Sequence, residues 1–117
     1  MPLSQVEPAR YPQLLQQKCA HVVSLLAPFA APPPAVFASP VTGFRMRAEF
    51  RVWHDGDALN YVMFRPEDRK TPVIIETFPI ACQAIVDLMP VLIAHLRTDD
   101  DLCSRLFQVE FLSTLSG

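Results

Sequence analysis

Three arginines in one short stretch are the side chains of this sequence best suited to ligand chemistry. Residues 44–54 read FRMRAEFRVWH, in which apolar residues alternate with Arg45, Arg47 and Arg51. A guanidinium group binds phosphate through two parallel hydrogen bonds and also stacks on nucleobases. If the stretch is a β-strand, alternation projects these arginines to one side over roughly 20 Å. The pattern therefore indicates a surface for a polyanion.

Trp53 and Glu49 fall on the same side of the predicted strand, and two interpretations remain open. Trp53 adds a stacking platform, which together with the arginines suits a single-stranded or looped RNA with splayed bases. Alternatively, the face is solvated and carries no ligand, with Glu49 neutralising part of the charge or acting as an ion-pair hub. The spacing alone slightly favours the solvated face.

The overall composition makes a local patch the only source of affinity for a polyanion. The chain has 117 residues, with 10 Lys+Arg against 12 Asp+Glu and a net charge of -2. A hydrophobic content of 50% is enough to build the core of one domain. There is no basic and apolar leader and no apolar run of about 20 residues, so we expect a cytoplasmic protein with no membrane partner.

The cysteines and histidines give no metal or disulfide pattern. Cys19, Cys82 and Cys103 are scattered without a CxxC pair, which suits a reducing compartment. No glycine-rich phosphate loop is present, and we predict no metal site. His54 and Asp55 are adjacent at a turn, so we interpret them as turn residues and not as a catalytic dyad.

The elements that position the arginine strand follow from periodicity and from turn residues. An apolar stripe at helical spacing predicts an N-terminal helix over residues 12–27, formed by Leu15, Cys19, Val22, Leu26 and Phe29. Prolines make residues 28–40 a stiff connector. Asp55-Gly56 predicts a hairpin whose two central residues both have positive φ. Downstream we expect a return strand at 59–65, a polar loop at 66–72 and a short strand at 73–77.

The C-terminal part predicts helices followed by one strand. A helical region over about 79–97 contains Pro90, so a kink or break is expected near 86–90. Thr98 and Asp99 are the predicted cap of a short helix over roughly 99–106. Residues 107–115 alternate as a final strand, with Phe107, Val109 and Phe111 on one face. The fold class is therefore α+β: an N-terminal helix, a small and mostly antiparallel sheet around a 44–65 hairpin, a kinked helical segment and a final strand.

Several segments in collinear order resemble a known family. They are SPVTGFRMRAEFRVWHDGD at 39–57, YPQLLQQK at 11–18, LLAPF at 25–29, TFPIA at 77–81 and RLFQVEFLSTLS at 105–116. These segments resemble the N-terminal region of bacterial tRNA (uracil-5-)-methyltransferases, which form ribothymidine in the T-loop. The resemblance implies S-adenosylmethionine as methyl donor and a Rossmann-like catalytic domain, expected after residue 117. That domain would carry the cysteine that attacks C6 of the uracil, and nothing in residues 1–117 matches its SCNP-like segment.

The resemblance makes this chain the N-terminal, RNA-binding portion of such an enzyme. Its partners would be the tRNA T-arm and its own C-terminal catalytic domain, and the segment alone would not catalyse. Arg47, Glu49 and Arg51 stand in the matching MRAEFR motif, and Phe107 stands in the matching LFQ segment. The predicted RNA-binding residues are Arg45, Arg47, Glu49, Arg51, Trp53 and Phe107. The competing hypothesis is a structural or protein-interaction module whose arginine face packs against another protein surface, without RNA.

Overall fold

The computed structural model describes residues 6–116, which divide into two compact units, residues 6–41 and residues 42–116. The first unit contains helix α1 (Tyr11–Leu26), flanked by 3-10 turns at Pro8–Arg10 and Ala27–Phe29. The predicted helix at 12–27 is therefore confirmed to within one residue. None of residues 6–41 is buried, so the apolar stripe of α1 lies in no core within this unit.

The second unit is built on a four-stranded antiparallel sheet in the order β3-β2-β1-β4. The strands are β1 (Arg47–Asp55), β2 (Ala58–Arg65), β3 (Asp68–Ile74) and β4 (Gln108–Leu112). In β1 the side chains of Ala48, Phe50 and Val52 are buried and those between them are not. The alternation predicted for this strand is confirmed. Helices and an antiparallel sheet together confirm the α+β class.

The hairpin between β1 and β2 closes through Gly56 and Asp57, with Asp55 paired to Ala58. Gly56 has φ of 59°, whereas Asp57 is not in the positive-φ region. The hairpin prediction is confirmed, but the expectation of positive φ at both central residues is wrong. Glycine at the first central position alone is typical of a type II′ turn, which also matches the twist of the two strands.

One face of the sheet, the inner face, packs against helix α2 (Gln83–Arg97). The core combines aromatic residues of the strands with the buried face of α2, and its members include Phe50, Tyr61, Phe111, Ile85, Met89, Ile93 and Leu96. The helix begins at Gln83 and not near residue 79, and it continues through Pro90, so the break expected as one alternative near residues 86–90 is wrong. The buried Tyr61 hydroxyl donates to the carbonyl of Met89 at 2.8 Å, the residue before that proline.

The segment predicted as a loop at 66–72 is mostly strand. Pro66 and Glu67 form a two-residue turn, and β3 begins at Asp68. Pro72 is tolerated because β3 is an edge strand, where a residue without an N–H costs no ladder bond on the solvent side. The strand expected at 73–77 is not a separate element. Residues 73 and 74 are the end of β3, which stops at Ile74.

Three further boundaries differ from the predictions. β1 begins at Arg47 and not at residue 44, because Arg45 pairs in parallel with Ala81 instead. The helix expected at 99–106 is α3 (Asp100–Cys103), and Asp99 does cap it by accepting from the Leu102 N–H at 3.1 Å. Phe107 precedes β4, so it does not share the buried face of Val109 and Phe111.

Candidate nucleic-acid interface

The sheet face opposite the core, called here the outer face, is the candidate site. It carries Arg47, Glu49, Arg51 and Trp53 from β1, with Asn60, Val62 and Phe64 from β2 and Gln108, Glu110 and Leu112 from β4. Directly paired residues of antiparallel strands present their side chains on one face, and the turn at Gly56 fixes which residues pair. The register places Arg51 opposite Val62 and Gln108.

Arg51 is the centre of the site because aromatic rings hold its guanidinium group. Its Cζ lies 4.0 Å from the centroid of the Phe107 ring and 5.3 Å from that of Phe64. Its Nε is buried and has no hydrogen-bond partner among residues 6–116. Trp53 extends the aromatic group, with its ring 6.0 Å from that of Phe64. Arginine with several rings is the combination that stacks on nucleobases.

The loop before β4 brings Phe107 to Arg51. The Val52 N–H donates to the carbonyl of Phe107 at 2.8 Å, and Nε2 of His54 donates to the carbonyl of Leu106 at 2.9 Å. Arg105 in the same loop has φ of 63°, an uncommon conformation for a residue with a Cβ. These contacts fix the ring of Phe107, which remains 59% exposed.

A cleft of about 350 Å³ opens beside this group and is lined by Arg51, Val52, Trp53, His54, Arg105, Leu106 and Phe107. Its walls are mainly apolar and aromatic, with two guanidinium groups and no carboxylate. Such a lining suits a flat, polarisable group that carries or adjoins negative charge. A nucleobase of RNA has these properties.

The charge of the outer face is concentrated at Arg51 and not spread along three arginines. Arg47 forms an ion pair with Glu110 at 2.7 Å, and the register places Glu49 opposite Glu110. Arg47 is thus accompanied on this face by two carboxylates, Glu49 and Glu110, whereas Arg51 forms no ion pair among residues 6–116. Among residues 6–116, Glu49 forms no ion pair, so the hypothesis that it acts as an ion-pair hub is wrong.

The six residues predicted to bind RNA therefore fall into three groups in the structure. Arg51, Trp53 and Phe107 come together at one end of the outer face. Arg47 and Glu49 lie on the same face, further along β1, with Arg47 neutralised. Arg45 lies outside the strand, where its backbone bonds with Ile80 and Cys82, so the expected single row of three arginines is wrong.

Sequence reasoning missed Phe64 and gave His54 only a role in the turn. The signal for Phe64 was present: a two-residue turn at Gly56 pairs Asp55 with Ala58 and so puts residues 62 and 64 on the face of Arg51. The hydrogen bond of His54 with Leu106 joins residues that are far apart in the sequence, so no local sequence pattern could predict it.

Among the described residues, no group of three or more His, Cys, Asp and Glu side chains is placed to hold a metal ion. In the same part of the chain, no helix has the length and apolar character needed to cross a membrane.

A helix packs on one face of an antiparallel sheet, and the other face carries cationic and aromatic side chains, which together define a two-layer α+β unit. A family model described as tRNA (Uracil-5-)-methyltransferase matches residues 10–117. The chain belongs to the tRNA (uracil-5-)-methyltransferase family.

Individual relatives agree with the family match. The chain is 51% identical over 117 residues to a tRNA/tmRNA (uracil-C(5))-methyltransferase of Dechloromonas aromatica (strain RCB), which covers 100% of this chain and 32% of that protein. It is 52% identical over 109 residues to the protein of the same description in Pseudomonas fluorescens (strain SBW25), covering 93% and 30% of the two chains. The chain thus spans about a third of the length of the curated relatives that it matches.

Proposed function

We propose that this chain is the N-terminal, tRNA-binding portion of a tRNA (uracil-5-)-methyltransferase, acting on a uridine of the T-loop. The observation that carries the proposal is the Arg51 guanidinium group held against the rings of Phe107 and Phe64 beside an open cleft. Family membership supplies the reaction class. The aromatic cleft supplies what a domain that holds looped RNA requires, a stacking surface next to a fixed cation.

In this proposal the chain binds and orients RNA, and it performs no covalent step. The methyl donor, S-adenosylmethionine, is bound by the portion of the full-length protein that this chain does not span, which is also its partner domain. The described residues do not fit that cofactor: Gly43 lies in a bend and Gly56 in the β1–β2 turn, both with positive φ, and no glycine-rich loop precedes a helix in residues 6–116. A cytoplasmic location stays a prediction.

The proposal predicts that Phe107→Ala and Arg51→Ala in the full-length protein weaken binding of unmodified tRNA. Loss of one stacked base costs about 1–3 kcal/mol, or roughly 5- to 150-fold in affinity. Arg47→Ala has a smaller effect, since Glu110 already neutralises that side chain. Filter binding with a tRNA transcript measures the change.

Phe37→Ala is the matched control for this experiment, because it removes the same ring from an exposed residue that is not among those lining the cleft. Its affinity for tRNA should equal that of the unchanged protein. The proposed function is wrong if Phe107→Ala and Arg51→Ala both bind tRNA as tightly as this control.

The competing hypothesis, an interaction module without RNA, rests on a different observation. Apolar side chains of the first unit are exposed, among them Val22, Leu26 and Phe29, and exposed apolar patches mark protein contacts. That hypothesis requires self-association in solution together with no binding of tRNA. Sedimentation of the chain with and without tRNA separates the two.

A further inference from the structure

Arg51 also lines a second cleft, of about 250 Å³, whose other walls are Phe64, Pro66 and Arg69. It differs from the first cleft in its residues and in its chemistry. The first cleft has Trp53 and Phe107 in its wall. The second has the same number of guanidinium groups, two, but only one ring and one proline beside them, so a larger share of its lining is cationic.

Irregular strand pairing brings Arg69 to this position. Met63 pairs with Val73, but Arg65 pairs with Asp68, so a single residue of β2, Phe64, stands against four residues of β3. An irregularity of this kind breaks the strict alternation of side chains and re-aims those within it. Arg69 lies within it and lines a cleft with Phe64, a residue of the outer face.

The charge of Arg69 is not neutralised by its neighbours. Among residues 6–116, Arg69 forms no ion pair. The adjacent carboxylate of Asp68 is already engaged, since it accepts the backbone N–H groups of Lys70 at 3.1 Å and Thr71 at 3.2 Å. Hydrogen bonds from the Thr71 side chain and from these N–H groups hold the pKa of Asp68 below its ordinary value.

We infer that this second cleft is a subsite for a backbone phosphodiester of the bound RNA, held between Arg51 and Arg69. The inference rests on the proposed function. It adds a contact with a backbone phosphate to the stacking contact with a base. Two guanidinium groups that share a cleft without a carboxylate favour a phosphate oxygen over a neutral base edge. Arg51 lines both clefts, so one side chain joins the two contacts.

The test uses the salt dependence of binding, which distinguishes a phosphate contact from base stacking. Each phosphate contact adds about 0.7–0.9 to the slope of log affinity against log salt, because it releases counterions. Arg69→Ala in the full-length protein should therefore weaken tRNA binding. The loss of affinity relative to the unchanged protein should be about threefold larger at about 50 mM than at about 200 mM salt. Arg69→Lys, which keeps the charge, should retain the salt dependence of the unchanged protein.

Lys70→Ala is the matched control, since it removes the same charge from an exposed neighbour that does not line the cleft. It should leave both affinity and slope nearly unchanged. Thermal unfolding of every variant checks that the fold is retained. The inference is wrong if the slope of log affinity against log salt for Arg69→Ala equals that of the unchanged protein. It is also wrong if Lys70→Ala weakens binding as much as Arg69→Ala, because the lysine and arginine charges would then act through a general electrostatic field and not at a specific site.

Arg51→Ala and Phe107→Ala, measured in the same series, distinguish this inference from the proposed function. If they weaken binding and Arg69→Ala does not, only the phosphate subsite is wrong. If none of the three changes affinity, the proposed function is wrong as well. Phe107→Ala should weaken binding without changing the slope, because a stacked base releases no counterion.

Discussion

At the scale of single residues, the outer face depends on one side chain whose polar atoms are incompletely satisfied. A buried donor without a partner is uncommon in folded proteins, and Nε of Arg51 is such a donor among residues 6–116. The rings of Phe64 and Phe107 hold the guanidinium group in place. A side chain ordered before binding loses less conformational entropy when a ligand arrives. Arg51 is therefore suited to binding more than to stability.

Tyr61 shows the opposite case, a buried polar group that is satisfied. Its side chain is 3% exposed, and its hydroxyl donates to the Met89 carbonyl. Burial, opposed in part by the charge of Arg97, raises the pKa of Tyr61 from 10.0 to about 12. We expect Tyr61→Phe to lower the free energy of unfolding by about 0.5–1.5 kcal/mol at neutral pH, measured by urea denaturation.

The pH dependence of Tyr61 has a definite sign. Between pH 10.0 and about 12 the unfolded chain ionises this phenol while the folded chain keeps it neutral. The unfolded state thus binds fewer protons, and the contribution of Tyr61 to stability falls as pH rises through this range. The stability difference between the unchanged chain and Tyr61→Phe should shrink there. If the difference in the free energy of unfolding between the two chains stayed constant up to pH 12, the raised pKa of Tyr61 would be contradicted.

At the scale of elements, the β1–β2 hairpin sets the positions of the candidate site. Its two-residue turn determines which residues of β1 and β2 pair, and a shift by one residue would move Arg51 to the core face. Gly56 at this turn has φ of 59°, and a Cβ there would meet no atom within 4 Å. The requirement for glycine is therefore conformational and not steric.

Gly56→Ala should destabilise the chain by roughly 1–2 kcal/mol, the cost of a left-handed conformation for a residue with a Cβ. The midpoint of urea unfolding measures it. Asp57→Ala is the control, since Asp57 is exposed and not in the positive-φ region, and its effect should stay within about 0.5 kcal/mol. Equal effects of the two substitutions would refute this reasoning.

The sequence predicted those elements whose signals are local. Alternation from Ala48 to Trp53 and the glycine turn determine the face and the register of β1 and β2. The contact between Arg51 and Phe107 was not predictable, because it depends on how a strained loop enters β4, which pairs with β1 from far along the chain. The segment 66–72 was misread because Pro72 indicates a loop unless its strand is known to lie at an edge.

At the scale of the whole molecule, the two units differ in what stabilises them. Residues 42–116 enclose a core of aromatic and aliphatic side chains, centred on Phe50, which contacts the rings of Tyr61, Phe78 and Phe111. Residues 6–41 contain no buried residue, and an isolated helix of this length is marginal in water. Stability of the chain therefore resides in the second unit.

We expect a peptide of residues 6–41 to show little helix by circular dichroism, and residues 42–117 to unfold cooperatively in urea. Phe50→Ala in the second fragment removes a ring that is 1% exposed and should cost about 3–5 kcal/mol. A strongly helical 6–41 peptide, or a 42–117 fragment without a cooperative transition, would contradict this assignment.

The position of Trp53 has a practical consequence. It is the single tryptophan of the chain, its ring lies 6.0 Å from that of Phe64, and it stands in the wall of the first cleft. Indole emission responds to stacking and to local polarity, so the chain carries an intrinsic fluorophore at the place where a base would arrive. Quenching of that emission would report occupancy without any label, and it would do so separately from the phosphate contact at Arg69.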